Sequence, residues 1–155
     1  MNSTIGRTIA FIDSNRERTE EFLLKSKDVF SVIDFENGFK FYQWTKNGGV
    51  VDAVVSSDDG SGINGMSLMK LLKSDKNTEH LPFIMLYPKI NNDIRKKTIK
   101  EGISDVFESN FSKEEFLIRL NYIINHSLEV KKKRLHGTLN HGQLKPFRWE
   151  RDYLI

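Results

Sequence analysis

Two short apolar runs in this chain end on polar side chains that could do chemistry. Asp13 follows Thr8-Ile-Ala-Phe-Ile12, and Ser57 follows Val50-Val-Asp-Ala-Val-Val-Ser56. A carboxylate in such a place is a hard oxygen ligand for a divalent cation. A hydroxyl becomes a nucleophile only when a base activates it, and none is evident beside Ser57. Two more carboxylates, Asp58 and Asp59, come directly after Ser57 and lead into Gly60-Ser-Gly62. One step along a strand turns a side chain to the opposite face, so Asp58 should point away from the side that Ser57 faces unless the strand end bulges. Asp59 belongs to a loop in which carboxylates are usually solvated or cap the next helix. The simplest reading of the pair is solvated loop carboxylates, with a weak adventitious cation site or a displaced phosphorylation site as the alternatives. His126, His136 and His141 lack the tight spacing of metal ligands. There is no cysteine, which excludes disulfides, thiol catalysis and thiolate metal sites. No metal site and no cofactor are expected.

The elements that must position Asp13 and Ser57 can be read from hydrophobic pattern and punctuation. Thr8–Ile12 suits a strand buried on both faces. Ser14 to Lys27 reads as a helix, with Ser14 as cap and Glu17 as return partner of a capping box. Val29 to Phe35 supplies a second strand, and Asn37-Gly38 breaks the chain before an aromatic helix, Phe39 to Trp44, that Gly48-Gly49 ends. Val50 to Ser56 is the third strand and Gly65 to Ser74 the third helix, with Met66, Met69 and Leu72 at core spacing. Of Phe39, Phe41, Tyr42 and Trp44, not all can face inward; core packing with one stray aromatic is the simplest arrangement.

Pro82 to Tyr87 is the fourth strand, Asn92 to Glu101 the fourth helix closed by Gly102, and Ser104 to Glu108 a short fifth strand. Ser112 caps a fifth helix, with Glu115 three residues on and an apolar stripe of Phe116, Leu120, Ile123, Ile124 and Leu128. Five βα units in series imply an α/β fold, a doubly wound five-stranded parallel sheet. The right-handed crossover rule favours strand order 2-1-3-4-5 of the flavodoxin-like kind. Any site then lies at the carboxyl ends of the first and third strands, where Asp13 and Ser57 should face each other.

The chain has 155 residues, enough for one domain with an extension, and a net charge of +3. Residues 129–155 carry seven Lys/Arg against three Asp/Glu, so the basicity belongs to the tail, and residues 1–128 are within one charge of neutral. The expected division is a domain at 1–128, then a basic helix end and C-terminal extension at 129–155. Lys131-Lys-Lys-Arg-Leu-His136 is one short basic run, better read as the solvated end of the fifth helix than as a contact for nucleic acid or anionic lipid. Pro146 argues against continuous helix in the extension, yet Phe147, Trp149, Tyr153, Leu154 and Ile155 are too apolar for an idle linker. The extension docks on the domain, pairs with another chain, or leads into a further domain. No apolar run spans a membrane and the N-terminus lacks the core of a signal peptide, so a cytoplasmic protein is expected.

Residues 7–128 resemble a bacterial response-regulator receiver domain. The landmarks arrive in order: Phe11-Ile-Asp13, the segment Asp52–Gly65, Leu81-Pro-Phe-Ile-Met-Leu86, and Asp93-Ile-Arg-Lys-Lys-Thr-Ile-Lys-Glu-Gly-Ile-Ser-Asp105. In that family a phosphorylated aspartate ends the third strand, five residues after the Asp that opens it and eight before the glycine of the next helix. Both spacings land on Ser57. The second of the paired acids after the first strand is Ser14, the Ser/Thr that ends the fourth strand is Tyr87, and the lysine after the fifth strand is Ser109, followed by Asn110 in place of a cis-proline. The aromatic switch position is Val106. Among these landmarks Asp13 alone keeps the family's residue type.

The resemblance therefore implies a degenerate, pseudo-receiver type. Phosphoryl transfer needs an ionised carboxylate, a cation held by hard oxygens, and a positive charge to balance the product. Asp13, Ser14, Ser57, Tyr87 and Ser109 form a phosphoacceptor pocket with too few of these parts. A cis peptide before Asn110 is not expected, since a non-proline cis bond costs roughly 3 kcal/mol. The resemblance implies a non-catalytic protein-interaction or regulatory module of bacterial signal transduction, with no enzyme activity. Its partner would be a protein, or a second copy through helix four, strand five and helix five; nucleic acid is not expected. That surface would include Ile94, Lys97, Lys100, Glu101, Asp105 and Arg119. The alternatives are an atypical phosphorelay receiver that accepts phosphate at Asp58 or Asp59, and the N-terminal regulatory domain of a larger enzyme. The tail is similar to the junction through which some bacterial receiver-like domains lead into a membrane-anchored sugar transferase.

Overall fold

The structure, a computed structural model, describes residues 6–57 and 63–135, the last five by their backbone only. Strands and helices alternate: β1 (Thr8–Ile12), α1 (Arg16–Ser26), β2 (Ser31–Phe35), α2 (Gly38–Lys46), β3 (Ala53–Ser57), α3 (Gly65–Lys73), β4 (Phe83–Tyr87), α4 (Asn92–Glu101), β5 (Asp105–Glu108) and α5 (Lys113–Leu135). All strand pairs are parallel and the order is β2-β1-β3-β4-β5, as the pattern of elements predicts. The pairs Ile12↔Ser56 and Ser57↔Leu86 bring the carboxyl ends of the three central strands level.

Burial explains the strand sequences. β1, β3 and β4 are covered on both faces, so their runs are continuously apolar instead of alternating. On one face Phe41 of α2, Leu68, Met69 and Leu72 of α3 and Ile99 of α4 pack on Ala10, Val54 and Met85. On the other, Phe22 of α1 and Phe116, Leu120 and Ile124 of α5 pack on Phe11, Val55 and Ile84. β2 lies at the sheet edge and is the least covered strand, with Ser31, Ile33 and Asp34 exposed. Asp34 is held by Arg16 at 3.0 Å. On α2, Phe41 is buried, Tyr42 and Trp44 pack partly against the core, and Phe39 is the stray exposed aromatic.

Four helices start on asparagine. The side chains of Asn15, Asn37, Asn64 and Asn91 accept from the backbone N–H groups of Arg18, Lys40, Ser67 and Ile94. Each such cap contributes about 1 kcal/mol relative to alanine. The first of them corrects the sequence expectation: Asn15, not Ser14, caps α1. The apolar stripes also need two adjustments. Met66 is only partly buried, and Leu68 takes the fully buried place on α3. Leu128 is 37% exposed, although its neighbour Ser127 is buried.

The backbone of α5 continues to Leu135, so Lys131–Arg134 belong to the helix. The expectations for residues 136–155 lie outside the described residues. No helix among the described residues is long and apolar enough to cross a membrane.

Gly102 ends α4 in the left-handed region at φ 117°, and its carbonyl accepts from Lys73 Nζ at 3.0 Å. An alanine there would place Cβ against that flexible lysine end, so backbone strain sets the cost. Gly102→Ala should lower stability by about 1–2 kcal/mol, read from the midpoint of a urea unfolding curve at unchanged slope.

Candidate functional site

Asp13 leaves β1 with a fully buried side chain, but its carboxylate is already satisfied. Arg18, one turn into α1, clasps it with two N–H groups: Nε donates to Oδ2 at 2.7 Å and Nη2 to Oδ1 at 2.8 Å. The backbone N–H of Asn15 also donates to Oδ1 at 2.9 Å. The reason is local. The Asn15 cap fixes where α1 begins, and that sets Arg18 five residues after Asp13 on the turn that passes over it. A bidentate guanidinium–carboxylate pair is among the strongest side-chain interactions. Sequence reading missed Arg18. Its visible signal was an arginine in the first turn of the helix that follows a strand-terminal aspartate.

Ser57 ends β3 and is half-buried. Its hydroxyl reaches back across the strand pair toward the Ile12 carbonyl, at 3.4 Å. So Asp13 and Ser57 come to neighbouring strand ends, and Ser57 is engaged by the residue before Asp13. Ser14 is exposed. Asp58 and Asp59 lie outside the described residues. Asp52 serves the opposite end of the sheet: its carboxylate accepts the Thr8 N–H at 2.7 Å, and its own N–H is donated to the Thr8 carbonyl.

The other landmarks are likewise structural. Tyr87, at the end of β4, turns its ring against the core under α4, and its hydroxyl meets Thr98 Oγ1 at 3.3 Å. Ser109 donates its backbone N–H to the Tyr87 carbonyl at 2.8 Å. Val106 is fully buried, and all peptide bonds of the described residues are trans.

The hollow beside Asp13 is small, about 40 Å³. Phe11, Phe22 and Phe111 form its walls, and Arg18, Lys25 and Ser109 share its rim. Its cations come from α1. Lys25 is held by Glu21 at 3.2 Å and lies 4.5 Å from the Phe111 ring centre. A divalent ion at Asp13 would have to displace Arg18 and sit beside like charge. Among the described residues no three His, Asp or Glu side chains gather as a metal site.

The surface expected for a partner divides in two. Asp105 is fully buried, accepting from the Val106 N–H and from Arg119 Nη2, and Arg119 stacks on Phe107 at 4.4 Å. Asp105 therefore cannot be part of a contact surface, and Arg119 is committed to it. A buried carboxylate needs such a partner, which the sequence alone does not announce. Ile94, Lys97 and Glu101 instead line a groove between α3 and α4, and Lys100 is exposed on α4.

No protein-family model and no curated protein matches the chain. Solved structures do. A putative response regulator from Chloroflexus aurantiacus J-10-fl is similar over 77% of this chain and 98% of that one, at 21% identity and a TM-score of 0.71. The signal receiver domain of an HD domain-containing protein from Pseudomonas fluorescens Pf-5 is similar over 79% and 98%, at 17% identity and 0.68. A response regulator receiver domain protein from Clostridium thermocellum is similar over 81% and 97%, at 20% identity and 0.65. With five parallel strands in the order β2-β1-β3-β4-β5, five helices and these neighbours, the fold of this chain is the flavodoxin-like fold of response-regulator receiver domains.

Proposed function

We propose that the chain is a pseudo-receiver: a domain of two-component signalling that takes no phosphoryl group and acts by binding a protein partner, without enzyme activity of its own. The observation that carries this reading is the Asp13–Arg18 clasp. Both carboxylate oxygens at the place where a receiver would hold its cation are taken by a guanidinium of the same chain. Ser57 adds no charge there. An un-ionised hydroxyl directed at a carbonyl is a poor acceptor for phosphorus. Ser109 supplies no cation to balance a product.

The likeness to the receiver domain of an HD domain-containing protein supports a regulatory role beside further domains. The alternative sites Asp58 and Asp59 are tested directly. The full chain, incubated with acetyl phosphate and magnesium, should show no phosphoryl adduct by intact-mass spectrometry. Beryllofluoride with magnesium should cause no saturable NMR shift at Asp13 or Ser57. An adduct that disappears in Asp58→Asn or Asp59→Asn would replace this reading with that of an atypical phosphorelay receiver.

A further inference from the structure

A domain that works by binding needs a place to bind, and the hollow at Asp13 is too small to be one. A larger opening lies between α3 and α4, with a volume of about 550 Å³. Its apolar surface comes from Met66, Tyr87 and Ile94. Met66 and Tyr87 are partly buried against the core beneath, and Met66 is a residue that adapts its shape to what it meets. The Tyr87–Thr98 contact ties the end of β4 to α4, so one side of the groove is built into the fold.

Positive charge borders the groove. Lys70 and Lys97 line it from opposite helices, and the Lys70 side chain is 64% exposed. Of the four cations on α4, Lys97 lines the groove and is exposed, while Arg95, Lys96 and Lys100 lie outside the lining. The acid on the lining, Glu101, sits 3.6 Å from Lys70 and offsets one charge. An apolar floor with a basic border matches an amphipathic helix laid in by its apolar face, with acidic residues along its flanks. A phosphate backbone would gain nothing from Met66, Tyr87 and Ile94.

We propose that the α3–α4 groove binds an acidic amphipathic helical segment of a partner protein. This rests on the reading of the chain as a binding module, and it moves the contact to the α3 side of α4, away from β5 and α5. Because the groove is formed without any change at Asp13, binding needs neither phosphate nor magnesium.

The probe is a synthetic helical peptide with leucine at i, i+3, i+4 and i+7 and glutamate elsewhere, labelled for fluorescence anisotropy. The full chain should bind it saturably in the presence of a chelator, with the largest NMR shifts at Met66, Tyr87, Ile94 and Lys97. Lys97→Glu and Ile94→Glu should each weaken binding about tenfold or more; Lys97 is exposed and its variant should leave the thermal melt unchanged, while Ile94 is half-buried and its variant is read beside its own melt. Four results would overturn the proposal: equal affinity for the peptide with lysine in place of glutamate, shifts confined to β5 and α5, displacement of the peptide by a duplex oligonucleotide, or a dimer in sedimentation that Ile94→Glu abolishes. No peptide binding together with no phosphoryl adduct would remove the groove and leave the module reading intact. An adduct would remove the module reading whatever the groove binds.

Discussion

Arg18→Ala is expected to destabilise the protein by about 2–3 kcal/mol, more than an ordinary surface ion pair and less than a wholly buried one. The arginine side chain is 39% exposed, but the Asp13 side chain it clasps is fully buried. Removing the guanidinium leaves that carboxylate with the Asn15 N–H as its nearest donor, and a buried charge short of partners is the costly outcome. The double variant Asp13→Asn/Arg18→Met should recover most of the loss, because it removes both charges at similar volume. Urea unfolding of the two variants measures the difference. If Arg18→Ala costs less than about 0.5 kcal/mol, the pair is no more than a surface contact. The same variant informs the functional reading: with the clasp gone, manganese should broaden NMR signals around Asp13 more strongly than in the parent protein.

A larger loss, about 3–5 kcal/mol, is expected for Phe116→Ala, against a total stability that is usually about 5–15 kcal/mol. Phe116 is fully buried on α5. Its ring centre lies 4.3 Å from Phe111, 4.9 Å from Phe107 and 5.8 Å from Phe22. Phe22 in turn stacks on Phe11 at 4.2 Å. Truncation would open a cavity among rings too rigid to collapse into it, and Phe11, Phe22 and Phe111 are the rings that wall the hollow beside Asp13. Phe116→Leu should cost about 1–1.5 kcal/mol, since most of the volume is kept. A calorimetric melt that Phe116→Ala leaves in place would refute the packing argument.

The architecture was legible because its causes are local and periodic. Continuous apolar runs such as Ile9–Ile12 and Phe83–Leu86 have no reason to exist except as strands covered on both faces. Gly102 marked the end of α4 because left-handed backbone favours glycine. Strand ends were less legible: β2 begins at Ser31 and β3 at Ala53, each later than the apolar run suggests, because the register with β1 decides where pairing starts. The α1 cap misread has a similar cause. Ser14 and Asn15 both suit the position, and three-dimensional placement of Asp13 favours the second.

At the strand ends, replacement of the family's residues could be read directly from Ser14, Ser57, Tyr87 and Ser109. What took their place could not. Arg18 and Lys25 reach the hollow through helix geometry, and the buried Asp105 is paired by Arg119 from a different element. Pairings between elements leave no periodic trace in a single sequence.

The outer strand, β2, limits how copies of this molecule could join. An open sheet edge can template another chain, and proteins suppress this with short strands and charge. β2 is five residues long, and the Asp34 carboxylate stands on it with Arg16 as its ion partner. A strand laid alongside would have to strip water from that pair, so ribbon-like aggregation through this margin is disfavoured.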